Sequence, residues 1–347
     1  MKTCFLGTGG YTGKVAFRGW PTPPELCDRE EAAKSMESAI RQYRMAEEAG
    51  FDWISISEHH YSPGLMTPNP IVLGAAVSQQ TSRVKIALLG PLIPLLNPVR
   101  VAEEIAMLDA LSHGRVVVLF LRGTPNEHRT YEGRDPQEAR EMTQEGVQLI
   151  QRAWTEPKPF AHAGKFFNYP NVAVWPRTLQ DPHPPIFYSG NSEESAMFAG
   201  RHRFNCAIGF APTPIVARQV EIYRTAAREA GWEPTPDNVL YRGRMLVAET
   251  DAEAHAIAEQ IPGMHALATP TGGAATGHAA GGQGGGDPTA GVAGVQFMGG
   301  VDTVLAKARA LHDAGVGILD VAVAGGGLRR TLELFSNRLR PALAEIG

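Results

Sequence analysis

Cysteine is scarce in this 347-residue chain: Cys4, Cys27 and Cys206 form an odd, widely spaced set. Without paired short spacings they exclude a disulfide framework and a structural zinc site of the paired-cysteine kind. No apolar run is long enough to cross a bilayer. Met1 leads almost directly into a strand-like segment where a signal peptide would differ, so the expected location is the cytoplasm. Charge of one sign is lacking too. Lys and Arg total 32 against 36 Asp and Glu, a net −4, which leaves no basic footprint for nucleic acid and none for an acidic membrane. No GxGxxG fingerprint follows the first strand-like run, which argues against a doubly wound dinucleotide-binding sheet.

What is present is enough apolar material for a large core, 43% of residues against 20% charged. Eight strand-like runs recur: residues 3–8, 52–57, 84–90, 115–121, 185–190, 205–210, 239–248 and 317–325. Amphipathic helical stretches separate them, the pattern of parallel strands with crossover helices. Asp28 with Glu31 has the capping-box spacing ahead of a helix with Met36, Ile40 and Tyr43 on its apolar face, and Gly50 stops it. Asn97 followed by Pro98 opens another helix that closes at Gly114, and Asp135-Pro136 and Thr213-Pro214 repeat the device. Leu328, Leu332, Phe335 and Leu339 mark a closing helix. Eight β–α units in one chain predict a single (β/α)8 TIM barrel spanning 1–347.

Two stretches break the rhythm. Residues 155–184 are rich in proline and aromatics and read as an excursion, with room for a small hairpin, before the fifth barrel strand. Residues 262–300 are dominated by glycine, alanine and threonine and carry too little apolar surface to offset ordering entropy. A flexible surface loop is one reading. A lid is the other, because the stretch falls between the seventh and eighth strands, at the end where a barrel's active-site loops lie.

The segment "DWISISEHH" carries the first chemical signal. Alternation puts Ile54 and Ile56 on one face and Ser55 and Ser57 on the other. The apolar face belongs against the helices, so the serines face the barrel interior and the same parity turns His59 inward at the C-terminal mouth. Glu58 and His60 then turn outward and suit hydrogen bonds that fix the rim. Adjacent strand residues diverge, so the histidine pair is a poor chelate and no metal is expected. His59 reads either as a satisfied core histidine or as an acid–base group where this fold carries its chemistry.

The stretch "GFDWISISEHHYSPGLMTPNPIVLGAA" and the block "NPVRVAEEIAMLDALSHGRVVVLFLRG" together resemble the bacterial luciferase-like flavin monooxygenases. "TPPEL", "HAGKFFNYPNV", "PPIFYSGNSEESAMFAG" and "MGGVDTVLAKARALHDAGVGILDV" extend the resemblance over most of the chain outside the Gly/Ala segment. It implies an α/β barrel that binds reduced FMN in its mouth, supplied by a separate NAD(P)H:flavin reductase. It also implies a flavin peroxide, formed with O2, that oxidises a small organic substrate, and a homodimer. His59 matches the family's acid–base residue. For the cofactor, Ser189, Gly190, Asn191 and Ser192 run from a strand into a helix start suited to a phosphate, although Ser192 is equally suited to plain N-capping. Arg122 matches the family arginine near the phosphate. Leu89 and Gly90 match the strand end that passes close to the isoalloxazine ring, where glycine permits close approach. Two departures stand out: Asn97 replaces a frequent histidine, and bulky Leu119, Phe120 and Leu121 replace a glycine-rich fourth strand end. A deazaflavin-dependent, hydride-transferring oxidoreductase and a non-catalytic flavin-binding protein are the alternative readings.

Overall fold

The computed structural model describes residues 1–7, 9–17, 19–124, 127–128, 138–260, 296–324 and 327–346. Most of the Gly/Ala-rich stretch, read as a flexible loop or as a lid, and Asp135-Pro136 lie outside the described residues. Strands β1 (Lys2–Leu6), β2 (Trp53–Ser57), β3 (Lys85–Leu92) and β4 (Val116–Leu121) pair in parallel in that order. The sheet continues through β7 (Ile186–Ser189), β8 (Asn205–Gly209), β9 (Val239–Ala248) and β11 (Ile318–Val323), which returns to β1 and closes an eight-stranded barrel. All eight runs anticipated from alternation are the barrel strands.

Helices cross between consecutive strands. They are α1 (Arg29–Glu48), α2 (Pro70–Ser78), α3 (Pro98–Leu111), α4 (Ala139–Thr155), α5 (Glu193–Arg201), α6 (Thr213–Glu229), α7 (Asp251–Glu259) and α8 (Val301–Asp313). A final α9 (Leu328–Leu334) runs through a π-helical turn at Phe335–Leu339 into α10 (Arg340–Ala344). Asn97 Oδ1 accepts from the N–H groups of Val99 and Arg100 at 3.0 and 3.2 Å, so the residue that departs from the family pattern caps α3 well. Asp28 likewise accepts from Glu31 N at 2.8 Å. Two local expectations need correction. Thr213 makes no capping hydrogen bond, because α6 begins at that residue with Pro212 ahead of it. The buried stripe of α1 is Ser35, Ala39, Tyr43 and Ala46, about one position round from the face drawn through Met36 and Ile40.

Strand alternation divides the core into two compartments. Ile54, Ile56, Ile86, Leu88, Val116, Val118 and Phe120 point out and pack beneath the helices. Cys4, Ala87, Leu89, Val117, Leu119, Phe187, Ala207, Leu240 and Ile318 point in and fill the barrel. Of the bulky residues at the end of β4, Phe120 therefore lies outside against Trp154, and only Leu119 and Leu121 narrow the interior.

The excursion contains an antiparallel hairpin, β5 (Phe160–Ala163) with β6 (Asn168–Val172). The Glu145 carboxylate on α4 accepts from the Phe166 and Phe167 N–H groups at 3.0 and 2.9 Å and pins its turn. The excursion's far end is held by Asp109, which accepts from Gln180 N and Nε2 at 2.9 and 2.7 Å. Arg115 donates to the carbonyls of Ser78 and Ser112, both at 2.8 Å, placing a buried cation against the negative ends of α2 and α3. The "LDALSHGR" motif is thus a structural knot at the bottom of the barrel. One boundary also moves: Phe297–Gly300, expected inside the long loop, form β10, paired in parallel with the upper half of β9.

Candidate active site

Strand β2 sets the site. Ser55 is fully buried inside the barrel, and its hydroxyl donates to Asp320 Oδ1 on β11 at 2.7 Å. Asp320 Oδ2 accepts from Arg242 Nε on β9, also at 2.7 Å. A carboxylate with no solvent exposure is therefore satisfied by a hydroxyl and a guanidinium from strands on either side. Cys4 lies beside this cluster, and burial, reinforced by the Asp320 charge, pushes its thiol well above the ordinary range, so it stays protonated. Arg242 is left incomplete: its Nη2 is buried and has no hydrogen-bond partner among the described residues.

Above this layer, the His59 backbone N–H donates to Thr67 O at 3.1 Å, but its imidazole makes no hydrogen bond with any described residue. Burial, then the positive charge of Arg242 and the neighbouring His60, push its pKa down from 6.5 to about 4. At neutral pH the ring is uncharged, with one nitrogen free to accept a proton and the other carrying one.

Its neighbours behave differently. His60 Nε2 and Glu58 Oε1 share a hydrogen bond of 3.0 Å, and both side chains are buried. Glu58 Oε2 accepts from Leu92 N at 3.2 Å. Leu92 follows the β-bulge between Leu89 and Leu92, where Gly90 adopts φ +107°, a conformation that favours glycine. The outward pair of the EHH triplet thus holds the rim of the next strand in shape. Burial, with the nearby Glu127 charge, raises the Glu58 pKa despite the opposing bonds from His60 and Leu92 N. The loops over this corner are joined by backbone bonds, Tyr11 N to Pro63 O at 2.7 Å and Thr22 N to Tyr61 O at 3.0 Å.

The remaining sequence-predicted residues fall on adjacent strand ends. Leu89 points into the barrel from β3 and Gly90 sits at its bulge. Arg122 follows β4, whose Phe120 is in register with Tyr188 of β7. Ser189 ends β7, and Gly190, Asn191 and Ser192 lead into α5. Arg122 is partly buried, and burial followed by the repulsion of Arg140 lowers its pKa, with Tyr188 and Glu194 also close enough to act on it. Gly190 has a packing reason to be glycine, because a Cβ there would meet Cys206 Sγ at 2.3 Å. Asn191 Oδ1 accepts from Gly209 N at 2.8 Å. Ser192 caps α5 by accepting from Ser195 N at 3.3 Å and donates to Ser195 Oγ at 2.9 Å. The first-turn acids are occupied, Glu193 by Arg218 and Glu194 by Arg140. The whole set therefore spans the C-terminal ends of four neighbouring strands, β2, β3, β4 and β7.

Sequence reasoning missed Asp320 and Arg242. The signal was a charged residue inside each of two apolar runs, "ILDVAV" and "LYRGRML", but nothing in the order of residues pairs positions 78 apart. Among the described residues, no cluster of three or more His, Cys, Asp and Glu is placed to hold a metal, and no helix is long and apolar enough to cross a membrane.

Comparison with known proteins covers the same region. The family model described as luciferase-like monooxygenase matches residues 17–317. The oxygenase component of flavin-dependent trigonelline monooxygenase from Acinetobacter baylyi is 25% identical over 242 residues, 68% of this chain and 66% of that protein. Among solved structures, the oxygenating constituent of 3,6-diketocamphane monooxygenase from Pseudomonas putida, in complex with FMN, superposes with TM-score 0.75 at 23% identity, covering 99% of this chain and 98% of that one. An F420-dependent secondary alcohol dehydrogenase shares the fold at TM-score 0.71 and 18% identity, covering 99% of this chain and 98% of that one.

Proposed function

The chain belongs to the luciferase-like monooxygenase family, and on that premise we propose that it is a flavin-dependent monooxygenase working with reduced FMN, O2 and a small organic substrate. The relative described as an oxygenase component supports delivery of the flavin by a separate NAD(P)H:flavin reductase. Assembly as a homodimer is part of the same proposal and is read by light scattering. The observation that carries the proposal is His59: an uncharged imidazole with no hydrogen-bond partner among the described residues, at the end of the barrel where the fold places its chemistry.

The donor set fits FMN. Arg122 and Arg140 lie close enough at the α5 start to repel one another, and Glu194 is paired with Arg140 there. An anion there would relieve their repulsion and meet the positive end of α5 and the hydroxyl of Ser189. Leu89 and Gly90 would flank the ring, with Glu58 holding the bulge that shapes this seat. Reduced FMN, when bound, supplies the electrons that activate O2 towards the substrate.

The chain's own residues do the rest. His59 Nδ1 or Nε2 takes a proton from the reacting centre and returns it, and a neutral ring is ready to accept first. Inward Leu89, Leu119 and the partly buried Leu121 make a dry wall that limits water. The test is to mix the protein anaerobically with reduced FMN and with reduced deazaflavin, measure both affinities, then admit oxygen and follow flavin absorbance and product. Preference for FMN with oxygen-dependent turnover supports the proposal. Preference for deazaflavin with hydride transfer would replace it, and tight flavin binding without turnover would make the protein a carrier.

A further inference from the structure

The mouth holds two polar groups without partners among the described residues, and they lie close enough for one charge to act on the other. Arg242 Nη2 is buried and unbonded, while His59 has an imidazole with no hydrogen bond among the described residues. Arg242 is not free to swing towards another partner. Its Nε is fixed at 2.7 Å by Asp320 Oδ2, and Asp320 Oδ1 accepts from Ser55, while Nη2 meets neither oxygen. The arginine faces inward on β9 two residues above Leu240, which belongs to the packed barrel interior. Its side chain keeps 17% exposure, and for an inward residue that opening is the mouth. A buried donor left unpaired carries a penalty unless a ligand completes it.

We infer that Arg242 is the specificity-determining residue of this site and that it receives a carboxylate group of the substrate, setting the rest of that molecule beside His59. The inference rests on the proposed oxygenase reading and names its substrate class: small organic acids. A guanidinium held through Nε keeps its Nη1–Nη2 edge as a planar fork, of which Nη2 is enclosed in this structure, and that edge matches a carboxylate bidentately and an amide poorly. The Asp320 contact makes the fork rigid, so little side-chain entropy is lost when an acid docks. Ser55, behind Asp320, is a positioning residue for the same fork.

The probes are benzoate and its neutral isostere benzamide, titrated into the full-length protein with ring-labelled histidine. His59 is assigned by comparison with His59→Gln. Benzoate should bind and move the His59 resonances, raising the ring's pKa because an anion beside an imidazole favours its charged form. Benzamide should bind about tenfold more weakly or worse. Removing Arg242 alone strands a buried carboxylate, so the informative variant is the double replacement Arg242→Gln with Asp320→Asn, which removes both charges together. That protein should lose the preference for benzoate. Equal binding of the two probes by the wild-type protein, or an unmoved His59, would overturn the inference even where the double variant does not fold. Benzoate selectivity surviving the double replacement would also overturn it. Because no flavin is present, benzoate binding with no reduced-FMN affinity in a parallel titration would refute the oxygenase reading while leaving this site standing, and the converse would refute only the site.

Discussion

His59 and His60 are consecutive residues in opposite surroundings. His60 is buried with Glu58, which holds the neighbouring strand's bulge. His59 turns to the inside, has no bonded partner among the described residues and feels the charge of Arg242. One is spent on architecture and the other is available for chemistry. Residue type does not distinguish them; strand parity and the partner found on each face do. The same division runs up the interior of the barrel. Its lower part is apolar, with Trp53 edge-on to Phe187 at 6.0 Å, and its upper part is the Ser55–Asp320–Arg242 layer.

The contrast is sharpest in paired substitutions. His59→Ala should lower turnover by about 10²–10⁴-fold, the usual contribution of a positioned acid–base group, with unfolding free energy changed little. Single-turnover kinetics and urea denaturation on one preparation check both halves. Activity close to wild type would remove His59 from the mechanism. Next in size, Asp320→Ala should cost about 3–5 kcal/mol of stability, because it leaves Arg242 buried without its counter-charge. A loss well under 1 kcal/mol by urea denaturation would mean that the layer admits water freely. His60→Ala should reverse the His59 pattern and cost about 1–3 kcal/mol by leaving Glu58 Oε1 unsatisfied, with a smaller effect on the chemical step. Equal catalytic losses for the two alanine variants would erase the distinction.

The smallest effect is a pH slope. The folded pKa of His59 is depressed from 6.5 to about 4, so its contribution is present above pH 6.5 and is lost as pH falls towards 4. Glu58 runs the other way: its raised pKa gives stability that is full below 4.5 and lost as pH rises through the folded value. Comparing wild type with His59→Gln isolates the first. The variant should be spared a loss on the order of 1–2 kcal/mol between neutral pH and pH 4.5, after allowing for the ring's partial contact with water. Parallel pH profiles for the two proteins would show that the ring is not desolvated.

Much of the barrel was legible because alternation and helix caps are local. Alternation gave the outward direction of Ile54 and Ile56 and the inward direction of Ser55 without a structure, and Asn97-Pro98 marked a helix start to the residue. What was not legible depends on pairing across the barrel. Asp320 meets Ser55 from 265 positions away, and the glycine at 190 looked suited to an anion until Cys206 was found packed against it. Arg122 shows the same limit: its nearness to Tyr188 is set by the register of β4 with β7, whereas the capping bond of Ser192 to Ser195 is local and visible in the sequence.

The central claim is that the flavin ring docks beside His59 and away from His60. Histidine-ring NMR of the protein, before and after anaerobic addition of reduced FMN, tests it most directly. The account predicts that the His59 resonances shift strongly and saturate with the flavin while those of His60 stay nearly fixed. Saturable flavin binding that leaves His59 unmoved would contradict it.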